Sequence, residues 1–404
     1  MNIVEIDYSD LTGRHFNGYE LHRGLLSKGI HAEQVVKWKE GILDTVSMYG
    51  DDKVFDCQIR ALEEKYSVQN LLFPYASELE KLEAFQKADI VHYHLIHKGA
   101  FSLLDLPELM KQKKSVWTIH DPWIVTGKCI HPLDCIGWKN GCQKCQRLSE
   151  PFEMKEDNAA FMWKVKKEIL SQVNPDIIVA SEFMKHYIQE SPITSHFSRI
   201  HKIPFGIEAD KYNLREQNLY QAKLGIPKDK FVIAFRCDKY EVKGCKYIYN
   251  ALRKIGTEKE IFLVCVGDGD IPDDIQESYQ MRSFAWLNDE QLIREILIAS
   301  DLFLMPSLAE SFGLMAVEAM AAGCAVICFE GTVPAEITEA PYCGIAVKYK
   351  SASDIAEKIM ELKVNCRLTK ELGQKGHELV KRKYRFEDYV DRHIHLYEEI
   401  LNRI

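Results

Sequence analysis

Short apolar runs, each followed by a helical pattern, recur along this chain, and the rhythm runs twice. "NIVEID" precedes a helical stretch from Gly18 to Lys28, "ADIVHYH" precedes a Leu-rich stretch, "SVWTIH" follows, and "PDIIVAS" precedes "EFMKHYIQ". Strands that alternate with helices predict a parallel sheet, because each parallel neighbour needs a crossover connection. The rhythm restarts with "FVIAFRC" and continues through "EIFLVCVGDG", "SDLFLMPS", "CAVICFE" and "CGIAVKY", which predicts a second α/β unit. Between the series, "HKIPFGIEADKYNLREQNLYQAKLGIPKDK" is rich in charge and in Pro and Gly punctuation, placing a domain boundary near residues 204 to 225. At the far end Phe386, Tyr389, Val390, Ile394, Tyr397 and Ile400 form a helical stripe that must pack somewhere, with the N-terminal domain as candidate. Ligands of open parallel sheets sit beyond the carboxyl ends of the strands, so two facing sheets predict a cleft lined by the loops that follow the strands.

With 404 residues, 46% hydrophobic and 28% charged, the chain is long enough for two or three ordinary domains. A net charge of -8 argues against a general attraction to nucleic acid. The start "MNIVEIDYSD" has no basic segment leading into an apolar one, and no run of 18 apolar residues occurs, so a cytoplasmic protein is expected. Its twelve cysteines are then expected as reduced thiols, metal ligands or core residues.

"PSLAESFGLMAVEAMAAGCAVI" carries Glu310 and Glu318 in a segment otherwise built of small and apolar residues. The pattern predicts a helix from about Ser311 to about Ala322, stopped by Gly323, with Glu310 at its mouth. Glu318 would lie about two turns further in, roughly 11 to 12 Å along the axis. That is too far for two carboxylates to share a proton. The unpaired amides of a helix start suit an anion, carboxylates accept from ribose or sugar hydroxyls, and Gly313 allows close approach. A nucleoside diphosphate sugar has that anatomy. The competing reading makes Glu310 a residue that complements the helix dipole and Glu318 a solvated helix residue.

The stretch "PSLAESFGLMAVEAMAAGCAVICFEGTVPAEI" resembles the E-x7-E signature of retaining glycosyltransferases of the GT-B fold, in particular family GT4. The resemblance implies two Rossmann-like domains with parallel sheets across a cleft: residues 1–205 for the acceptor, 206–384 for the nucleotide sugar, and 385–404 as a helix returning to the N-terminal domain. It also implies that Glu310 contacts donor-sugar hydroxyls, that Glu318 holds the ribose, and that the turn of Ser311, Phe312, Gly313 and Leu314 meets phosphate and sugar through its backbone. "FRCDKYEVKG" resembles the segment whose cations bind the donor diphosphate, here Arg236 and Lys243 with six residues between them. Fixed cations stabilise the charge that grows on a leaving diphosphate. "CVGDGD" and "RSFAWL" resemble the strand end and the loop that hold the base, implying Gly267 as an approach point and Phe284 to Leu287, with Ala285 and Trp286, as a pocket wall. Asp268 and Asp270 spell D-x-D, but the GT-B resemblance implies no catalytic metal, and they read as turn acids.

In the N-terminal half, His120 in "SVWTIHDPW" matches a family histidine close to the donor sugar and the transferred bond, where it could donate to a hydroxyl or an oxyanion. His92 and His94 alternate on one strand face, for packing or for acceptor contact. "DLTGRHFNGYELHRGL" matches the family's Gly-rich loop, implying Gly18 as the close-approach residue, with Arg14 and His15 toward an acceptor. Cys129, Cys135, Cys142 and Cys145 in "GKCIHPLDCIGWKNGCQKC" are candidate ligands of a structural zinc, against packed thiols or a redox pair. The cysteine-bearing insert, residues 127–147, resembles a subgroup near colanic-acid and capsule transferases. "FMWKVKKEIL" combines Phe161, Met162 and Trp163 with Lys164, Lys166 and Lys167, which reads either as a membrane-facing patch or as a half-buried helix. The expected partners are a nucleotide sugar (a UDP- or GDP-sugar), a glycan or lipid-linked acceptor, and the inner membrane face. The expected function is retaining sugar transfer in cell-surface polysaccharide synthesis; the alternatives are a phosphorylase-like enzyme or a non-catalytic nucleotide-sugar-binding protein.

Overall fold

A computed structural model of the chain describes residues 1–10, 18–50, 52–97, 99, 101–149, 153–285 and 289–403. They form two units, Met1–Pro204 with Val390–Ile404, and Phe205–Tyr389. The first is built on seven strands: β1 (Asn2–Ser9), β2 (His31–Trp38), β3 (Val46–Met48), β4 (Ile90–Tyr93), β5 (Lys114–Thr118), β6 (Asp176–Val179) and β7 (Ile200–Lys202). Their order in the sheet is β3-β2-β1-β4-β5-β6-β7, and every pairing is parallel. The second unit has six: β8 (Phe231–Cys237), β9 (Ile261–Gly267), β10 (Gln280–Phe284), β11 (Leu302–Met305), β12 (Ala325–Phe329) and β13 (Ile345–Val347). Their order is β10-β9-β8-β11-β12-β13, again all parallel.

Burial explains which strands sit inside. Every residue of β4, β11 and β12 is buried, as expected of strands covered by helices on both faces, whereas the edge strand β10 keeps no buried residue. Each sheet also has one place where the strand order reverses. In the first unit the chain runs outward from β1 and returns to β4 on its other side, and in the second it leaves β8 and returns at β11. Loops that follow the strands flanking such a reversal splay apart, which is where doubly wound sheets bind ligands.

The last helix, Phe386–Asn402, is counted with the first unit from Val390 onward. Tyr389, Val390, His393, Leu396, Tyr397 and Ile400 are its buried positions. This corrects the expected stripe, since Ile394 is only half-buried and His393 and Leu396 carry the packing. Lys114 Nζ closes the helix by donating to the carbonyls of Ile400, Leu401 and Arg403 at 2.8, 3.1 and 3.1 Å, a favourable place for a cation at a C-terminus. Arg403 in turn grips the buried Asp176 with two bonds of 2.7 and 2.8 Å.

Candidate functional site

The loops after β8 and β11 are locked to each other by their backbones. The chain leaves β8 through a 3-10 turn, Glu241–Lys243, and enters helix Cys245–Ile255. After β11 it passes Pro306 to Phe312 and enters helix Leu314–Ala321. The Leu308 amide donates to the Val242 carbonyl at 2.7 Å. Gly244, at φ 74°, lies so close to Pro306 that a Cβ would overlap the proline carbonyl oxygen. On this base Lys243 Nζ donates to Glu310 Oε1 at 2.7 Å, with both side chains mostly buried (19% and 14% exposed). The resemblance assigns these two residues separately, to diphosphate and to sugar. The structure joins them in one ion pair at the reversal of the sheet, a charge-assisted bond that fixes both groups.

The expected helix start is corrected. Gly313 adopts a left-handed φ of 82°, which favours glycine, and the helix begins only at Leu314. Glu318 is therefore little more than one turn in, about 6 Å beyond Leu314 along the axis, not two turns. Ser311 and Leu314 are half-buried, while Phe312 is buried, edge-on to Phe205 at 5.3 Å and to Tyr384 at 5.8 Å. Its ring is core, and only its backbone remains for a ligand. The small residues serve helix Cys366–Lys383: Gly373 meets the Gly323 carbonyl, and Gly376 packs on Met320.

Burial, with Glu290 nearby, pushes the Glu318 carboxyl up to about 8. Tyr212 lies in this neighbourhood, its hydroxyl held well above the usual phenol range by burial and by Glu318, with the Arg294 guanidinium 5.9 Å from its ring. Sequence reasoning misses Tyr212, because it falls in the segment that reads as a domain boundary, where no periodicity marks it. A raised carboxyl carries a stability signature. Between pH about 4.5 and about 8 the unfolded chain loses a proton that folded Glu318 keeps, so stability falls with rising pH through that window and the penalty is complete above it. Glu318→Gln should therefore gain about 1 to 3 kcal/mol over the native protein at pH 8.5 and little at pH 4.5, read as unfolding midpoints. An equal difference at both pH values would contradict the shift.

Arg236, at the end of β8, is held by the buried Asp238 through Nη2–Oδ2 at 2.6 Å. Gly267 has φ 144°, and a Cβ there would overlap the Cys237 carbonyl of the neighbouring strand. That contact accounts for the glycine without a ligand. Ala285 is exposed beyond β10, and Trp286 and Leu287 lie outside the described residues, as do Gly13, Arg14 and His15. Asp268, exposed, lies 3.9 Å from Lys239 Nζ.

The first unit repeats the logic at the reversal between β1 and β4. Gly18, at φ 79°, starts helix Tyr19–Ser27 with no room for a side chain, since a Cβ would sit 2.8 Å from His94 Nε2. His94 Nδ1 and His120 Nε2 are 3.2 Å apart, and His94 Nε2 lies 3.4 Å from Glu5 Oε1. Glu5 Oε2 meets His22 Nδ1 at 3.1 Å, and His22 Nε2 meets Thr45 Oγ1 at 2.8 Å. Burial drives the His92 and His120 imidazoles well below their ordinary range, helped by His94. Burial also opposes charge on Glu5, but hydrogen bonds from His22 and His94 outweigh it and hold the carboxyl below the usual value. In the sequence Glu5 stands out only as an acid inside the strand "NIVEID", which is the one signal that could have found it. Among the described residues Glu5, His92 and His94 are the group whose ligand atoms lie within 4.8 Å of one another. Both nitrogens of His92 are engaged at 2.7 Å, with the Tyr397 hydroxyl and Thr118 Oγ1, so the cluster is satisfied as a hydrogen-bond network.

The four insert cysteines do not form such a group, although all are described. Cys129 is buried, Cys135 exposed, and Cys142 and Cys145 half-buried, and single amides donate to Cys135 Sγ (from Gly137, 3.3 Å) and Cys142 Sγ (from Gly127, 3.2 Å). Their sulfurs are not drawn together as a tetrahedral zinc site requires, and no step below uses a metal. The candidate membrane patch is also corrected. In helix Ala159–Leu170, Met162, Trp163 and Lys166 are buried. Lys166 Nζ donates to the Trp123 and Thr126 carbonyls at 2.7 and 2.9 Å, and burial pushes its ammonium down to about 7. Among the described residues no helix is long and apolar enough to cross a membrane.

Residues 216–379 match the family described as Glycosyl transferases group 1. Over 171 residues the chain is 26% identical to the putative colanic acid biosynthesis glycosyl transferase WcaC of Escherichia coli, covering 38% of this chain and 41% of that protein. It is 26% identical over 202 residues to the N-acetyl-alpha-D-glucosaminyl L-malate synthase of Bacillus anthracis, covering 48% and 52%. The matches thus span about half the length of these relatives or less. Among solved structures, Anabaena Alr3699/HepE in complex with UDP-glucose superposes with a TM-score of 0.66 at 13% identity, over 99% of this chain and all of the other. WaaG, a glycosyltransferase involved in lipopolysaccharide biosynthesis, gives 0.67 at 13%, with the same coverage. The fold is that of the GT-B glycosyltransferases, and residues 216–379 are a group 1 glycosyltransferase domain.

Proposed function

We propose that this protein is a retaining glycosyltransferase that takes a sugar from a nucleotide sugar and passes it to a glycan or lipid-linked saccharide in polysaccharide synthesis. The observation that carries the reading is the Lys243–Glu310 pair on two interlocked loops at the strand reversal, with Glu318 on the helix that follows. In this reading Lys243 takes the donor diphosphate, Glu310 the sugar hydroxyls and Glu318 the ribose, while His120 serves the transferred sugar. Arg236, already paired with Asp238, acts as a secondary cation. The neighbour with UDP-glucose in its title supports a nucleotide-sugar donor, and the colanic acid and lipopolysaccharide relatives support a polysaccharide acceptor.

No pair of carboxylates among the described residues of the second unit is placed as nucleophile and acid. Attack from the face that the diphosphate leaves, with donor phosphate receiving the acceptor proton, needs positioning and charge stabilisation above all. Because Glu318 holds its proton to about pH 8, accepting hydrogen bonds from ribose requires that proton to leave. Nucleotide binding at pH 7 should then release a substantial fraction of one proton, measured as the dependence of binding heat on buffer ionisation enthalpy. The reading is tested by following nucleoside diphosphate release from a panel of nucleotide sugars with saccharide acceptors. Cleavage of oligosaccharides that depends on inorganic phosphate, with no release from any nucleotide sugar, would point to phosphorylase chemistry instead.

A further inference from the structure

The first unit contains a line of hydrogen-bonding groups that ends at His120: Thr45, His22, Glu5, His94, His120, with contacts of 2.8, 3.1, 3.4 and 3.2 Å in that order. Glu5 is fully buried and can only accept. For His94 Nε2 to face a carboxylate favourably it must carry the proton, which leaves neutral His94 with a bare Nδ1. That nitrogen can only accept, so the proton in the contact to His120 belongs to His120 Nε2. A neutral imidazole carries one N–H, and His120 Nδ1 is then unprotonated.

We infer that Glu5, acting through His94, is a positioning residue that fixes His120 as its Nε2–H tautomer and so makes Nδ1 a hydrogen-bond acceptor. This rests on the reading that His120 meets the donor sugar, and it reverses the role expected from the resemblance: His120 takes a hydrogen bond from a sugar hydroxyl instead of giving one to an oxyanion. The surroundings keep the line neutral apart from Glu5. His22 from helix Tyr19–Ser27, His92 on β4, His97 and Asp121 in the loops and His393 on the terminal helix all face this cluster, and burial opposes charge on His92 and His120. Gly18 holds the arrangement, because any side chain there would displace the His94 ring. A proton added to His94 would reverse the line, since His94 Nδ1 would donate and His120 would switch to Nδ1–H.

The test is a long-range 1H–15N correlation spectrum of the full chain labelled at histidine, at pH 8, with His120 assigned by the signal lost in His120→Gln. The expected result is an Nε2–H pattern for His120 in the native protein, averaged or inverted in Glu5→Gln and in His94→Gln. An Nδ1–H pattern in the native protein would overturn the inference even if neither variant folds. So would an unchanged Nε2–H pattern in variants that unfold as cooperatively as the native chain. Kinetics then separate the two readings. Glu5→Gln should lower kcat by about tenfold or more with donor KM unchanged, within the range of a misplaced acid–base group. Should the tautomer be as inferred while His120→Gln transfers sugar normally, the role of His120 in the reaction fails and the relay stands.

Discussion

Lys243→Ala should lower sugar transfer by about a hundredfold to a thousandfold, the loss typical when one fixed group that stabilises developing charge is removed. The side chain occupies the last position of a short 3-10 turn and is paired with Glu310 at 2.7 Å. Because the pair is mostly buried, removing the ammonium also leaves Glu310 without that partner. Glu310→Gln in the same assay shows which group the loss belongs to. A charge that develops only as the diphosphate leaves appears in kcat, whereas uniform donor binding appears in KM. Lys243→Ala is therefore expected to reduce kcat most and Glu310→Gln to affect both. Turnover within threefold of native for Lys243→Ala would remove Lys243 from the chemistry.

Gly244→Ala should cost about 3 kcal/mol or more, a large fraction of the stability of an ordinary domain. Two causes combine. The residue sits at φ 74°, and its Cβ would overlap the carbonyl oxygen of Pro306, which is backbone and cannot rotate aside. Gly331→Ala is the control, because Gly331 has a similar φ of 68° with nothing within 4 Å of where a Cβ would sit, so it should lose only about 1 kcal/mol. The difference between the two midpoints in denaturant measures the contact between the loops. Since that contact seats Lys243 beside Glu310, the folded fraction of Gly244→Ala should also transfer sugar more slowly. Equal midpoints for the two variants would contradict the interlocking of the loops.

The parts of the fold legible in the sequence are those whose pattern is purely apolar. β4, β8, β9, β11 and β12 are dominated by Ile, Val, Leu, Phe and Cys, and their burial on both faces needs little local compensation. β2 is not legible, because "HAEQVVKW" places Gln34 and Lys37 among its apolar residues. Both are fully buried, and Lys37 pairs with Asp56 at 2.9 Å and lies 3.6 Å from the centre of the Tyr75 ring. Those partners are 19 and 38 positions away, so no local window shows that a lysine there is tolerated. The short β3 and β7 carry too few residues for a period.

The candidate site divides in the same way. Glu310, Glu318 and Lys243 are visible because their flanking Pro, Gly and Ala residues form a specific string. The late helix start is not, because it depends on the left-handed Gly313, a backbone state that spacing does not report. The role of Gly267 likewise becomes clear only with Cys237 beside it. Glu5, His22 and His94 come from three separate segments and acquire meaning only when β1, β4 and helix Tyr19–Ser27 meet. The burial of Lys166, which removes the membrane patch, is set by carbonyls of Trp123 and Thr126 about 40 residues earlier.

Everything proposed for the second unit depends on the loops after β8 and β11, with the helix that begins at Leu314, holding a nucleoside diphosphate sugar. Thermal unfolding of the native chain with UDP-, GDP-, ADP- and dTDP-sugars examines that binding without any assumption about the acceptor, because a ligand bound only by the folded state raises the midpoint by mass action. One nucleotide class is expected to raise the midpoint at millimolar concentration, and the rise is expected to vanish in both Lys243→Ala and Glu318→Ala. No shift from any nucleotide sugar, or an undiminished shift in both variants, would refute donor binding at these loops.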